Sequence, residues 1–151
     1  MTEQAEPNPD PRALIGRQTA WAPFVTDESR VKDFLEAIGE ENPPFRLDRP
    51  SSRFGKPLLP PTFLAQVRTT ADPELVLPRY GSPLNAGNEY KWLRPAHPGE
   101  PLERSSRVVD AYVRTGSSGH LTFIVIETEV RRVGGEVVAS SRNTTVYRRP
   151  S

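Results

Sequence analysis

"HLTFIVIETEVRRV", residues 120–133, is the most strongly β-forming stretch of this 151-residue chain, dense in β-branched and aromatic side chains. Turn signals bracket it: "GSSG" (116–119) on one side and Gly134-Gly135, a good hairpin signal, on the other. Beyond each turn lies another strand-like stretch. "LERSSRVVDAYVRT" (102–115) alternates, which predicts Ser106, Val108, Asp110 and Tyr112 on one face and Arg107, Val109, Ala111 and Val113 on the other. "EVVASSRNTTVYRR" (136–149) closes the set, and "NEYKWLRP" (88–95), followed by the turn "HPGEP", opens it. Four strands joined by tight turns read as an antiparallel sheet, which needs one face covered.

The first half supplies the cover. Val31, Phe34, Leu35 and Ile38 fall at i, i+3, i+4 and i+7, one face of an α-helix. Thr26 and Asp27 stand where a side-chain oxygen accepts orphan amide hydrogens, and Gly39 stops the helix. "PPTFLAQVRTT" (60–70) predicts a second, short helix with prolines in its first turn, ending before Pro73. "WAPFVT" (21–26), interrupted by Pro23, reads as an edge strand stub. Residues 42–61 and 71–84 read as loop, and the polar, proline-rich residues 1–12 as a disordered tail ahead of a single domain over 13–151. The class is α+β.

Composition narrows the function. Twenty basic and 19 acidic side chains leave a net charge of +1, so no global field draws the chain to nucleic acid or to a membrane. With no cysteine there is no disulfide, thiolate nucleophile or cysteine metal site. Neither a secretory signal nor an apolar run near the roughly 20 residues of a membrane span is present. A cytoplasmic protein without metal or cofactor is the expectation.

Chemistry concentrates after the first helix, in "GEENPPFRLD" (39–48). Together with "FLEAIGEENPPF", "PPTF" and "NEYKWLRPAHPGEPL", this stretch resembles the MaoC-like dehydratases and hydratases, over roughly residues 14–148. More closely it resembles their N-terminal, non-catalytic half. The resemblance implies a hot-dog fold, an antiparallel sheet wrapped around a central α-helix. Active members carry G-D-x-N-P-x-H after the first helix. Laid on this chain, Gly falls on Gly39, Asp on Glu40, Asn on Asn42, Pro on Pro43 and His on Phe45. The scaffold positions match, and the general base does not. Phenylalanine can neither take nor give a proton, and a positioned acid or base is worth about 10²–10⁴ in rate.

The resemblance therefore implies an accessory subunit that pairs with a MaoC-like catalytic hot-dog subunit. The pair would hydrate enoyl thioesters, or dehydrate (3R)-3-hydroxyacyl thioesters, carried on CoA or on acyl carrier protein. Phe45, Thr62 and Phe63 would line part of the acyl tunnel, with the Thr62 and Phe63 N–H groups as donors at a helix start. Two alternatives stay open: a self-sufficient homodimeric hydratase or thioesterase using Glu40, and a non-catalytic acyl-thioester-binding module. His97 reads as an exposed turn histidine and His120 as a strand-edge residue. The arginine pairs 131–132 and 148–149 are either solvated strand ends or contacts for an acidic carrier or a CoA phosphate. The serines of 117–118 and 139–145 lack a base and a presenting turn, so they read as turn and strand chemistry.

Overall fold

Glycines and hydrophobic alternation build one sheet. The computed structural model describes residues 9–48, 53–67, 75, 80–117 and 119–148. Its strands are β1 (Ala22–Phe24), β2 (Ser82–Trp92), β3 (Leu102–Gly116), β4 (Gly119–Arg132) and β5 (Val137–Arg148). Their order is β1-β3-β4-β5-β2, and every neighbouring pair is antiparallel. The β4–β5 turn needs Gly134, whose φ of 66° is in the left-handed region that a Cβ disfavours. "WAPFVT" supplies the edge strand β1, as its proline suggests.

β2 begins at Ser82, six residues before the expected Asn88, so 82–84 are strand and not loop. Pro83, Asn85 and Gly87 conceal it, being residues that strands usually avoid. An edge strand tolerates them, because half of its backbone groups face outward in any case. The Asn85 carboxamide oxygen accepts the Gly87 N–H at 3.0 Å, where the β2–β5 register shifts.

A bulge also corrects the faces predicted for β3. The register with β4 shifts between Val108 and Asp110, leaving Val109 without a partner. Past this point the inward face passes to Ala111, 2% exposed, while Tyr112 turns outward. There Tyr112 stacks on Phe123 with ring centroids 4.9 Å apart, and Arg114 lies over both rings.

The helix α1 (Glu28–Ile38) is capped from both ends. The Asp27 carboxylate accepts the Arg30 N–H at 3.3 Å, whereas Thr26, offered equally by the sequence, donates its hydroxyl to the Glu100 carbonyl. At the C-terminus Gly39 adopts φ 65°, and the Gly39 and Glu40 N–H groups reach the Glu36 and Leu35 carbonyls. That pair of bonds is a Schellman ending. Val31 and Leu35 are buried and Phe34 is half-buried, but Ile38, expected on the same face, is nearly half exposed. It stands in the last helical position, where Gly39 already turns the chain away.

The second predicted α-helix is instead a 3₁₀ turn over Pro61–Gln66. The Pro61 carbonyl, which an α-helix would bond to Ala65, accepts the Trp92 indole N–H at 2.8 Å. Residues 68–70 of that prediction lie outside the described residues. Residues 1–8 of the expected tail do as well, while Pro11–Leu14 forms a 3₁₀ turn whose Leu14 is buried.

Two apolar clusters sit on the inner face of the sheet. The first joins Phe24, Val31, Leu35, Phe63, Leu64 and Val67 to Val130, Val138 and Ala139, and Phe45 and Leu47 pack against it. The second joins Leu14, Leu75 and Tyr80 to Val108, Ala111, Ile124 and Ile126. Between them runs a buried hydroxyl pair, Ser106 Oγ and Thr128 Oγ1 at 2.8 Å. This packing is directly testable. Phe63→Ala should cost about 3–5 kcal/mol in urea unfolding, as a fully buried ring does, and Ile38→Ala should stay within about 0.5 kcal/mol.

Candidate functional site

The loop that follows α1 is stiff. Its Gly39 ending throws the chain into Glu40, whose Oε1 accepts the Asn42 N–H at 2.8 Å. Pro43–Phe45 then makes one 3₁₀ turn, closed by Phe45 N–H to Asn42 O at 3.1 Å and by Arg46 N–H to Pro43 O at 3.3 Å. The Leu58 N–H ties the Pro44 carbonyl to the following segment at 2.9 Å. Phe45 is half-buried against the first apolar cluster. Beyond it, Arg46 and Asp48 form an exposed ion pair at 2.9 Å, and that hydrogen bond raises the pKa of the guanidinium further.

An open groove of about 970 Å³ runs along α1 past Glu40 and Glu41. Glu28, Glu36 and Asp48 add three carboxylates to its lining, against the cations Lys32 and Arg46. Such a balance disfavours a polyphosphate. Glu40 therefore serves two local ends: it fixes the loop backbone and it contributes to an acidic surface.

Thr62 and Phe63 are separated from that groove. Phe63 is 0% exposed within the first cluster, and its N–H donates to the Pro60 carbonyl at 2.9 Å, so it is no free donor. Thr62 is exposed at the start of the turn. Six residues of 3₁₀ turn supply little of the positive end expected there.

His97 differs most from expectation. Instead of an exposed turn residue it is 9% exposed, with Nδ1 at 2.7 Å from the Pro57 carbonyl. Because a carbonyl only accepts, Nδ1 carries the proton. The His97 N–H donates to Glu100, the Phe54 ring meets the imidazole edge-on, and the neighbouring Ala96 carbonyl accepts the Leu59 N–H. This histidine clamps the 57–59 segment to the β2–β3 connection. His120 is exposed at the start of β4, 3.1 Å from the Thr115 hydroxyl.

The arginine pair 131–132 is engaged within the chain. Arg131 pairs with Glu103 at 2.7 Å and lies over the Trp21 ring. Arg132 binds Glu100, Glu136 and the Pro95 carbonyl. Arg148 is exposed, and Arg149 lies outside the described residues. Among the described residues no group of three His, Cys, Asp or Glu side chains is arranged to hold a metal ion. At the other end of the inner face, Tyr80 and Tyr147 meet edge-on, and burial pushes both phenols above their usual pKa, so neither serves as a base near neutrality.

Sequence reasoning passed over one further recess, of about 330 Å³, between the 61–67 segment and the β2–β5 pair. Asn88, Asn143 and Thr145 line it, with Val67 and Ala65 opposite. The signal was present: Ser141, Asn143 and Thr145 alternate along β5 at inward positions, where an apolar residue is the rule.

A five-stranded antiparallel sheet packed on one main helix, with a proline-stiffened loop at that helix's end, defines a hot-dog fold. Two solved structures carry the same fold. The ChsH1–ChsH2 complex from Mycobacterium tuberculosis matches with a TM-score of 0.71 at 21% identity, over 93% of this chain and 88% of that one. The C-terminally truncated HadBC complex, a (3R)-hydroxyacyl-ACP dehydratase of the same organism, matches with a TM-score of 0.71 at 15% identity, over 88% and 96%. The chain belongs to the FAS1-like dehydratase domain region family, whose model matches residues 13–141. A UPF0336 protein of Saccharopolyspora erythraea is 28% identical over 146 residues, spanning 91% of this chain and 90% of its own length.

The clamp at His97 yields a prediction. His97→Ala leaves the half-buried Pro57 carbonyl without its donor and should cost about 1–3 kcal/mol of stability. The change should appear as a lowered urea midpoint with an unaltered slope.

Proposed function

We propose that this chain is the accessory, non-catalytic hot-dog subunit of a MaoC-like enoyl-thioester hydratase or (3R)-3-hydroxyacyl-thioester dehydratase. Hydration bonds the oxygen of water to C3 and delivers a proton to C2, so one group must take a proton and one must give it. Phe45 carries the reading: an aromatic ring, half-buried in the core, occupies the motif position where an imidazole would act. Glu40, at the other catalytic position, has an oxygen committed to the Asn42 N–H. Among the described residues neither histidine lines the groove at Glu40, and their ring nitrogens face the Pro57 carbonyl and the Thr115 hydroxyl.

Pairing supports the same reading. β2 is an edge strand of the sheet, exposed along nearly its whole length, and among the described residues its outer backbone edge is unpaired. A MaoC-like subunit with an intact Asp and His would dock on this chain and supply the chemistry. This chain would contribute the interface and, through Phe45 and the exposed Thr62, part of the wall of the acyl tunnel, with the buried Phe63 supporting it from the core. The related HadBC and ChsH1–ChsH2 structures are themselves complexes of two named components.

Co-expression with a MaoC-like subunit bearing G-D-x-N-P-x-H tests the proposal. The expected result is a stable complex that hydrates crotonyl-CoA. Replacing the partner's motif aspartate by asparagine should lower kcat by about 10²-fold or more, whereas Glu40→Gln here should leave kcat within about twofold. Failure of every such subunit to associate, or a collapse of kcat with Glu40→Gln, would refute the proposal.

A further inference from the structure

The inner face of the sheet changes character from β3 to β2. Following the register across it, Val108 and Ile126 lead to Asn143 and then Asn88. One row further, Ala111 and Ile124 lead to Thr145 and Asn85. The β3–β4 half is therefore apolar and buried, and the β5–β2 half is built of amides and hydroxyls. A sheet face turned toward the core is normally apolar throughout; here Asn85 and Asn88 are exposed and Asn143 is half-buried, so water or a polar occupant meets them.

The polar side chains there are organised. Asn143 Nδ2 donates to Asn88 Oδ1 at 2.7 Å, and the Thr145 hydroxyl donates to Asn143 Oδ1 at 2.9 Å. These bonds orient both carboxamides, each oxygen accepting one hydrogen bond. The Asn88 Nδ2 hydrogens and the second hydrogen on Asn143 Nδ2 then remain without acceptors among the described residues. The lining thus offers donors, where an oxygen of a ligand would be an acceptor. Val67 and Ala65 form the facing wall, suited to a carbon skeleton. A volume of about 330 Å³ is near that of eleven waters, room for a short acyl segment.

We infer that Asn88 and Asn143 are specificity-determining residues that favour acyl groups carrying an oxygen, a ketone or hydroxyl remote from the thioester, over plain alkyl chains. The inference rests on the acyl-thioester reading above and names the class of acyl group that it would take. A plain alkyl chain in the recess would strip water from the two carboxamides and return no acceptor, whereas an oxygenated one replaces that water.

The test uses saturated probes, which cannot react: decanoyl-CoA and its 5-, 7- and 9-oxo analogues. Each is titrated by calorimetry into the full chain, alone and with its hot-dog partner. At least one oxo probe should bind about tenfold more tightly than decanoyl-CoA, the scale of one hydrogen bond. Asn88→Leu and Asn143→Leu should each erase that preference and leave or improve the affinity for decanoyl-CoA. The wild-type comparison stands even where a variant lowers the melting temperature. Equal affinities for all four probes, or a preference that survives both replacements, overturn the inference and leave the acyl-thioester reading intact. No binding of any probe overturns both.

Discussion

Phe63 is fully buried, with its ring 5.8 Å from Phe24 and edge-on to Phe34 at 5.2 Å, centroid to centroid. The first comes from β1 and the second from α1, so one side chain joins the edge of the sheet, the main helix and the 61–66 turn. Everything near the motif hangs from this junction. Phe45 and Leu47 pack on the same cluster, which fixes the loop after Gly39. Trp92 reaches the Pro61 carbonyl and binds the exposed strand β2 to the same turn. With so lean an apolar composition, a few aromatic contacts must carry much of the cohesion.

Charge is handled separately from this core. Glu100 and Glu103 hold Arg132 and Arg131 at the β2–β3 and β4–β5 ends of the sheet, so these arginines brace turns. His97 does the same for the segment between the motif loop and the 61–66 turn. Carboxylates gather in the groove beside α1, where Glu36 pairs with Lys32 and Asp48 with Arg46, and the carboxamides of Asn88 and Asn143 gather at the outer edge of the inner face. The molecule thus keeps its two polar recesses apart, one rich in carboxylates, the other in carboxamides and hydroxyls.

Much of this was legible from residues alone. The β4 stretch with glycines on both sides, the Val31–Leu35 face and the Gly39 stop all appear where their patterns put them, because each is a local signal. Three features were hidden because distant partners decide them. Trp92 captures the Pro61 carbonyl and helps turn an expected α-helix into a 3₁₀ turn. The bulge at Val109 flips the outer part of β3, and no alternation pattern reveals a register shift set by β4. Pro57 lies 40 residues from His97, so nothing beside the histidine announced its burial. At the motif, Gly39, Asn42 and Pro43 could be placed from sequence, and so could the loss of the imidazole at Phe45. That Glu40 bends back to the Asn42 N–H required coordinates.

The account's central claim is that this hot-dog chain has kept the scaffold of a hydratase site without its proton shuttle. On the proposed reading such a chain would complete an active site without performing the chemistry. Hydration of crotonyl-CoA by the purified chain alone, followed as loss of enoyl-thioester absorbance, tests this most directly. The account predicts a rate equal to that of buffer. Turnover at an ordinary enzymatic rate, of order 1–10³ per second, would contradict it.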